Sequence, residues 1–420
     1  MNPQKLKGFR DFSAEDLKLR YRVIDTLKEV FSLFGFSPLE TPALEMGETL
    51  KGKYGPEADK LLYTFTDRGG REVGMRYDLT VPLSRFIAEN SGSITLPFKR
   101  YQIQPVWRAE NTQRGRYREF LQCDADIVGS RSPLADAEII AVSYAVFQKL
   151  GLSYAAIQIN SRQVLFKLLT NAKISSPEIQ LSVLRSLDKI NKIGKDGVEK
   201  ELSAKGLSSS LIETVFANIQ KAEPDENLAA VIALAKELGV PAEKLCFEST
   251  LSRGLDYYTG VIFEISTTEG SLGSLAGGGR YDNLIEKLGG PALPATGIAL
   301  GFERIIEVLK ESGLGKYKET GISVLVIPVT ESETSVALKT LRQLRQNGLG
   351  AEIYPELGAK MEKQLKYADR KGRDFAVIIG PEETANKTVV LKNLRTQSQE
   401  VVSFDDLTKQ LESCSRESLE

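Results

Sequence analysis

Residues 107–120 read WRAENTQRGRYREF, and this stretch carries the strongest structural signal in the chain. It joins two strand-like runs, 99–110 and 117–128, through a polar loop that contains glycine. Two runs of this kind around such a loop predict an antiparallel hairpin. Further strand-like runs at 62–66 and 72–78 predict a second hairpin. The sequence therefore favours an antiparallel sheet in this part of the chain.

Arginines cluster around the turn of the first hairpin, at positions Arg108, Arg114, Arg116 and Arg118. A guanidinium offers a planar fork of donors that matches the oxygens of a phosphate. The alternative is a solvated basic loop, which is what most charge runs form. Here the arginines flank a glycine and are interleaved with aromatic residues, so the pattern favours a nucleotide or an RNA.

Two motifs place charged and aromatic residues between glycines. They read LSRGLDYYTG at 251–260 and SLAGGGRYD at 274–282. The first has an equally good alternative, a turn into a buried strand with Tyr257 and Tyr258 as packing residues. The glycines of the second would let a ligand approach the backbone closely, although a glycine-rich loop alone is weak evidence.

Two further motifs combine polar residues with a strand or a helix start. In MRYDLTVP at 75–82, Asp78 and Thr80 are expected to share one side of an extended segment. They would receive an ammonium group there, or cap a helix that follows Pro82. GIALGFER at 297–304 predicts an apolar strand, a glycine and a helix with an arginine in its first turn.

The chain changes character along its length. An amphipathic helix is predicted over 15–34. Helix signals replace strand signals between about 162 and 245, which predicts a helical insertion. Alternating patterns from residue 321 onward predict an α/β domain of about 100 residues. Its strands are expected at 322–329, 351–355, 375–380, 388–394 and 401–404, and its helices at 331–346, 361–370 and 405–411.

Composition excludes several classes of protein. Among 420 residues, 55 Lys and Arg balance 56 Asp and Glu, so the chain is not polybasic, although a local basic face can still bind nucleic acid. Histidine is absent, which excludes a Ser-His or Cys-His pair and a histidine metal ligand. Three cysteines without a CxxC pair favour a reducing compartment. Neither a membrane span nor a secretory signal is evident, so a cytoplasmic location is expected.

The motifs, taken together and in this order, resemble those of the class II aminoacyl-tRNA synthetases, and specifically the histidyl-tRNA synthetase family. GFSPLETPALE at 35–45 resembles motif 1, the dimer-interface segment, and residues 107–126 resemble motif 2. GIALGFER resembles motif 3, while RGLDYYTG and GGGRYD resemble the two histidine-specific motifs. One departure is RYDLT at 76–80, where many bacterial relatives carry RPEGT; it is similar to the eukaryotic and archaeal pattern.

The resemblance covers nearly the whole chain and implies its fold. It implies an α/β (α+β) architecture, with an antiparallel-sheet catalytic domain, a helical insertion and a C-terminal α/β anticodon-binding domain. The implied boundaries are 1–165 and 246–318 for the catalytic domain, 166–245 for the insertion and 321–420 for the anticodon-binding domain. The implied activity is ATP-dependent ligation of L-histidine to tRNA(His) through a histidyl-adenylate, with Mg²⁺ carried by ATP, no metal-ligand residues, and a homodimer away from membranes.

The resemblance also implies roles at the ATP end of the site. The implied ATP-binding residues are Arg108, Glu110, Arg116, Phe120 and Arg304. Arg108 would hold the α-phosphate, and Arg253 would approach the same phosphoryl group from another side, which makes these two the implied catalytic residues. Phe120 and Arg304 would sandwich the adenine ring.

At the other end, the implied histidine-binding residues are Asp78, Thr80, Gln122, Asp126, Arg253, Tyr257, Tyr258 and Tyr281. Asp78, with Thr80 and Gln122, would hold the α-ammonium group. Asp126 and Tyr258 would hydrogen-bond the imidazole. A polar partner at each ring nitrogen would reject apolar side chains strongly. Neither chemical step needs an enzyme nucleophile, which is compatible with a chain that lacks histidine.

Three alternatives share parts of this pattern. The first is the non-catalytic regulatory subunit of ATP phosphoribosyltransferase, which shares the core, lacks the anticodon-binding domain and has eroded catalytic arginines. The second is a synthetase of the same subclass for threonine, proline or glycine, which would not carry RGLDYYTG. The third is an α/β protein that binds RNA without catalysis.

Overall fold

The computed structural model describes residues 2–54, 59–253, 255–267, 273–314 and 323–417. The chain forms two compact units, Met1–Lys316 and Tyr317–Glu420. Each unit contains its own sheet and its own buried apolar core. Among the helices that the structure describes, none combines the length and the apolar character that a bilayer crossing requires.

The first unit is built on an eight-stranded sheet and a three-stranded sheet. In chain order their strands are β1 (Ser37–Pro38), β2 (Leu44–Met46), β3 (Thr64–Thr66), β4 (Glu72–Met75), β5 (Phe98–Trp107), β6 (Glu119–Val128), β7 (Ala155–Ser161), β8 (Leu245–Phe247), β9 (Val261–Thr267), β10 (Ser274–Arg280) and β11 (Ala295–Gly301). The large sheet runs β1-β5-β6-β11-β10-β9-β7-β8, and the small one β2-β4-β3. The neighbours in the large sheet are antiparallel except for β1 with β5 and β7 with β8.

Both predicted hairpins are confirmed. The first is β5 with β6, which pair in antiparallel register from Phe98 opposite Val128 to Trp107 opposite Glu119. The second is β3 with β4. The motif at 297–304 is also confirmed, because β11 ends at Gly301 and a helix with Arg304 in its first turn begins directly after it.

Helices flank these sheets. They are α1 (Ala14–Leu33), α2 (Gly47–Leu50), α3 (Thr80–Asn90), α4 (Pro133–Lys149), α5 (Arg162–Asn171), α6 (Pro177–Leu187), α7 (Ile190–Ala204), α8 (Ser209–Gln220), α9 (Glu226–Glu237), α10 (Leu284–Lys287) and α11 (Phe302–Glu311). The predicted helix over 15–34 corresponds to α1, which begins after a capping box formed by Ser13 and Asp16. The helical character predicted for about 162–245 is confirmed by α5 to α9.

The two faces of the large sheet differ in chemistry because side chains alternate along each strand. On one face Tyr101, Cys123 and Ala125 are buried in the apolar core that α1, α4 and α11 complete. On the other face β5 and β6 carry polar side chains, namely Arg100, Gln102, Gln122, Asp124 and Asp126. Buried polar groups need partners, so this second face is where a polar ligand site is expected.

The motif at 75–82 differs from its prediction in one respect. The backbone is helical from Thr80, two residues before Pro82, so Asp78 and Thr80 do not share an extended segment. Asp78 Oδ1 accepts a hydrogen bond from the amide of Val81 at 3.0 Å and therefore caps the helix. Proline tolerates the first turn, where its missing N–H leaves no hydrogen bond unmade.

The second unit is the predicted α/β domain. Its strands are β12 (Ser323–Pro328), β13 (Gly350–Ile353), β14 (Phe375–Ile379), β15 (Thr388–Asn393) and β16 (Gln399–Ser403). They lie in the order β13-β12-β14-β15-β16, with β12 parallel to both neighbours and the other pairs antiparallel. Its helices are α12 (Thr334–Gln346), α13 (Met361–Arg370), α14 (Pro381–Asn386) and α15 (Leu407–Glu417). Helix α14 was not predicted, and α15 begins two residues later than expected.

Candidate active site

A cleft of about 1040 Å³ lies in the first unit and is lined by residues from several separate stretches of the chain, between Asp78 and Arg304. All thirteen residues singled out from the sequence line it: Asp78, Thr80, Arg108, Glu110, Arg116, Phe120, Gln122, Asp126, Arg253, Tyr257, Tyr258, Tyr281 and Arg304. The structure therefore brings together every predicted site residue. Of the two other arginines of the 107–120 motif, Arg114 also lines the cleft, whereas Arg118 donates to the carbonyl of Glu110 at 3.1 Å.

Strand β6 supplies three of these residues because they are two or four positions apart. Phe120, Gln122 and Asp126 therefore point to the same face of the sheet. Gln122 is held on both sides: its amide nitrogen donates to both oxygens of Asp124, at 2.9 and 2.8 Å. Its carbonyl oxygen accepts from Arg108 Nη2 at 3.2 Å.

Asp126 is 2% exposed, belongs to the buried group of cleft residues that we call the carboxylate end, and has partners on two sides. Arg100 stands opposite it on β5, and Arg100 Nη2 lies 2.8 Å from Asp126 Oδ2. The hydroxyl of Tyr281 donates to Asp126 Oδ1. On the other neighbouring strand Asp126 faces Gly297, where a Cβ atom would lie 1.9 Å from Oδ1. Only glycine leaves room for this carboxylate.

Asp78 presents a second carboxylate at the same end. Oδ1 accepts from the hydroxyl of Tyr54 at 3.2 Å and from the Val81 amide. Oδ2 is buried, and no donor among the described residues bonds to it. Leaving such an oxygen without a donor is costly, so a donor from a ligand is the natural partner for it.

Burial controls the protonation of this end. It raises the pKa of Asp78 and of Asp126, against the opposing effect of Arg108 on the first and Arg100 on the second. Burial also raises the pKa of Tyr257 and Tyr281 well above the usual value and that of Tyr258 above it. The three phenols therefore stay protonated at neutral pH. The one proton of the Tyr281 hydroxyl is already donated to Asp126.

Arg108 lines the same cleft and donates to Gln122. Its Nε donates to the carbonyl of Tyr77 at 3.0 Å, and the guanidinium lies over the rings of Tyr77 and Phe120, at 4.3 and 5.1 Å. Burial opposes its charge, but Tyr77, Glu110 and Asp78 nearby raise the pKa of Arg108 above its usual value. A fixed, charged fork of donors is thus held at the centre of the cleft.

Arg253 lines the cleft from the segment that precedes β9. Its Nη1 donates to Glu264 Oε2 at 2.6 Å, and its guanidinium lies over Gly277, where a Cβ atom would be 2.3 Å from Nη2. Gly277 stands opposite Glu264 in the β9–β10 pair, so the sheet register creates the space for the guanidinium. Burial works against its charge, whereas Tyr258 and Glu264 raise the pKa of Arg253.

Two further arginines, Arg304 and Arg114, line the cleft. Arg304 donates to the carbonyl of Ser274, and burial lowers its pKa. Arg114 Nη2 lies 3.4 Å from Glu307 Oε2 and also forms an ion pair with Glu311. Among the described residues, no group of three His, Cys, Asp or Glu side chains is arranged to hold a metal ion.

Sequence reasoning missed several residues that shape the site. Arg100, Tyr54 and Glu264 each bond a predicted site residue. Asp188, at the C-cap of α6, also lines the cleft. The even spacing of Arg100, Gln102 and Gln104 on a strand was a readable signal, since it puts polar side chains on a face that should otherwise be apolar. Tyr54, Glu264 and Asp188 had no such signal.

The fold and the cleft define the class of the protein. A mostly antiparallel sheet flanked by helices, with arginines and carboxylates converging over one face, is the architecture of the class II aminoacyl-tRNA synthetases. Residues 8–305 match the family model described as Histidyl-tRNA synthetase, and residues 323–413 match the model described as Anticodon binding domain. The chain belongs to the histidyl-tRNA synthetase family.

Individual relatives agree with this assignment. The Histidine--tRNA ligase of Christiangramia forsetii is 38% identical over 97% of this chain and 98% of its own length. The crystal structure of histidyl-tRNA synthetase from Nostoc sp. PCC 7120 superposes with a TM-score of 0.80 at 28% identity, covering 98% and 99% of the two chains. A Bacillus halodurans structure described as ATP phosphoribosyltransferase regulatory subunit/histidyl-tRNA synthetase has a TM-score of 0.74 at 22% identity, over 90% of this chain and 99% of its own, and shares the fold.

Proposed function

We propose that the cleft activates L-histidine with ATP and that the chain then transfers the histidyl group to tRNA(His). The observation that carries the proposal is that one cleft joins the buried carboxylates Asp78 and Asp126 to the guanidiniums of Arg108 and Arg253. In the first step the histidine carboxylate attacks the α-phosphorus of ATP, which gives histidyl-adenylate and pyrophosphate. In the second step a terminal hydroxyl of tRNA takes the acyl group and releases AMP.

The carboxylate end would bind the amino acid. Asp78 Oδ2 lacks a hydrogen-bond donor and would accept from the α-ammonium group, with Thr80 and Gln122 beside it. Asp126 and Tyr258 would each bond one imidazole nitrogen, while Tyr281 keeps Asp126 oriented and Tyr257 lines the same wall. A site that bonds both ring nitrogens leaves buried polar groups unpaired when an apolar amino acid enters.

The arginine end would bind ATP. Arg108 and Arg253 would contact the α-phosphate from opposite walls and neutralise the charge that grows as the carboxylate attacks. Arg116 would reach the outer phosphates. Phe120 and Arg304 would enclose the adenine ring, whose amino group would donate to Glu110.

Positioning and charge compensation account for the chemistry in this proposal. ATP is the co-substrate, and Mg²⁺ would be bound by its phosphate oxygens. When bound, Mg²⁺ supplies further compensation of the phosphate charge. The donors that the cleft itself offers to the phosphates are guanidiniums, which suit phosphate oxygens in a bidentate geometry.

We assign the domains on the same basis. Residues 1–165 and 246–318 would form the catalytic domain, 166–245 the helical insertion and 321–420 the anticodon-binding domain. The match of 323–413 to the Anticodon binding domain model supports the last assignment. We place the enzyme in the cytoplasm, since its tRNA substrate is used by ribosomes.

We also propose a homodimer through the three-stranded sheet. The motif 1 segment leads into β2, whose Leu44 and Met46 are exposed, as is Phe65 on β3. Met46 and Phe65 both lie opposite Val73 of β4, so they extend one apolar row across the sheet. An exposed row of this kind favours burial against a second copy.

The regulatory-subunit alternative has less support. Arg108, Arg253 and Arg304 all line the cleft, and a second unit follows that matches an anticodon-binding model. A non-catalytic subunit would need neither. The alternatives with another amino acid or with RNA binding alone do not account for the match over 8–305.

The decisive experiment is ATP–pyrophosphate exchange with each of the twenty amino acids, followed by charging of total tRNA. We expect exchange with histidine alone and transfer of labelled histidine to one tRNA species. Exchange with a different amino acid, or exchange with none, would refute the proposed function.

A further inference from the structure

Arg253 lies on a segment that lacks regular structure. The described residues of 248–256 form neither helix nor strand, and the backbone of Arg253 has φ 56°, in the left-handed region. This conformation is unfavourable for a residue with a Cβ atom and persists only where surrounding bonds impose it. The position of the guanidinium therefore depends on the groups that bond this backbone.

Arg162 supplies the hydrogen bonds that hold the backbone at Arg253. It is the first residue of α5 and is 2% exposed. Its Nη2 donates to the carbonyl of Arg253 at 2.6 Å and to the carbonyl of Leu255 at 3.0 Å. Its backbone amide donates to the carbonyl of Gly260 at 2.8 Å. One side chain thus bonds the backbone carbonyl of Arg253 itself and another two residues further on.

The chemistry of Arg162 is unusual for a residue with only a packing role. Among the described residues no carboxylate forms an ion pair with it, and its buried Nε has no partner. Burial lowers the pKa of Arg162 to about 10, so it remains charged at neutral pH. A buried cation without an ion pair is costly to keep, which is why a role beyond packing is expected for it.

We infer that Arg162 is a positioning residue for adenylate formation, which acts by fixing the backbone of Arg253 so that its guanidinium stays over Gly277. The inference rests on the proposed role of Arg253. The guanidinium occupies a narrow space between Glu264 Oε2, which is 2.6 Å from Nη1, and the backbone of Gly277. Misplacing a catalytic group by about 1 Å can cost about 10²-fold in rate.

Neighbouring bonds support the segment without reaching Arg253. Asn160 Nδ2 donates to the carbonyls of Ser249 and Leu251, at 3.2 and 2.9 Å. Ser252 Oγ donates to the carbonyl of Leu184 in α6 at 3.0 Å. These bonds hold the first half of the segment, so loss of Arg162 should displace Arg253 while the rest of the fold stays in place.

The test compares Arg162→Met with Arg162→Lys in histidine-dependent ATP–pyrophosphate exchange. We expect Arg162→Met to lower kcat about 30- to 100-fold with KM for ATP and histidine within about threefold of wild type. Arg162→Lys keeps a charged donor and should recover part of the loss. The matched control is Arg345→Met, because Arg345 Nε also donates to a backbone carbonyl, that of Ala351, but in the second unit. We expect the control to stay within about twofold of wild type. A loss confined to KM, or a kcat unchanged in both Arg162 variants, would overturn the inference.

A double-mutant cycle separates positioning from a general effect on the fold. If Arg162 acts through Arg253, adding Arg162→Met to Arg253→Gln should cost less than about threefold further, because the displaced group is already gone. A full multiplicative loss would contradict the inference. Should Arg162→Met fail to fold in a thermal melt, the same cycle with Arg162→Lys decides the question. Near-normal exchange by Arg253→Gln alone would refute the proposed role of Arg253. If Arg253→Gln loses most of its exchange activity but both Arg162 variants are normal, only the role of Arg162 is refuted.

Discussion

The two ends of the cleft are built differently. At the end proposed to bind histidine, Asp126, Tyr281 and Asp78 are almost fully buried and are bonded to one another or to neighbouring strands and helices. At the end proposed to bind ATP, Arg116 and Glu110 come from the loop between β5 and β6 and are partly exposed. The position of Asp126 at the first end is therefore set by the register of the sheet, whereas the positions of Arg116 and Glu110 at the second end are set by a loop.

This difference suggests how each substrate is recognised. An imidazole must be distinguished from side chains of similar size, which requires polar partners that cannot adjust to a wrong ligand. A triphosphate is recognised mainly by charge, which arginines on a loop can supply. Substitutions at the two ends should therefore separate KM for histidine from KM for ATP.

The largest effect is expected from Gly297→Ala, which removes the space for the Asp126 carboxylate. The new Cβ would lie 1.9 Å from Asp126 Oδ1 and 3.0 Å from the carbonyl of Ala125, so the carboxylate and the strand must both move. We expect kcat/KM for histidine to fall about 10³-fold while KM for ATP changes little. Steady-state pyrophosphate exchange measures both.

The matched control for that substitution is Gly92→Ala. A Cβ atom at position 92 would meet nothing within 4 Å, so the added methyl is tolerated. Its kinetics should equal those of the wild type. A Gly297→Ala variant that binds histidine normally would show that the carboxylate end is not rigid, and the contrast between the two ends would fail.

Arg253→Ala tests the proposed contact between Arg253 and the α-phosphate. Removal of one donor to the developing charge is expected to lower the rate of adenylate formation about 10²-fold. The loss should appear in kcat, since the donor acts mainly in the transition state. Single-turnover measurement of adenylate provides the check; near-normal rates would contradict the assigned role.

Asp126→Ala tests whether KM for histidine and KM for ATP can be changed separately. It removes the proposed imidazole acceptor and leaves Arg100 and Tyr281 without their partner. We expect KM for histidine to rise about 30-fold and KM for ATP to stay within about threefold. Equal changes in both constants would mean that Asp126 supports the sheet and does not contact histidine.

The smallest effect concerns pH and stability. Burial raises the pKa of Asp124 well above 3.8, and Asp126 adds to the rise, while Arg100 opposes it. Above pH 4 the unfolded chain releases this proton more readily than the folded one, so wild-type stability falls as pH rises through the folded pKa. Asp124→Asn removes the titration and should raise Tm by about 2 °C at pH 7.5.

The measurement for this variant is a pair of thermal melts at pH 7.5 and pH 4. The Tm difference between wild type and Asp124→Asn should shrink at the lower pH, where the wild-type carboxyl is neutral. A difference of the same size at both pH values would show that the substitution acts through packing alone. Lys200→Gln, an exposed charge change on α7, is a suitable control.

Much of the fold could be predicted because the local patterns are strong. The β5–β6 hairpin, the helical segment after β7 and the alternating elements of the second unit all have periodicities that depend on near neighbours. At 75–82 the expected extended segment was wrong from Thr80 onward, whereas the alternative of a helix cap is correct for Asp78. Short segments next to proline lack the length over which a period can be recognised.

The sequence alone determined the inventory of the site. Thirteen residues of suitable chemistry, in a recognisable order, were enough to indicate which side chains meet, because motif order and residue type are properties of the chain itself. The tertiary structure decided the geometry of the contacts among these residues. The space for the Asp126 carboxylate at Gly297 depends on the register between β6 and β11, two strands that lie far apart in the sequence. Register between distant strands is set by packing over the whole sheet, so no local pattern encodes it.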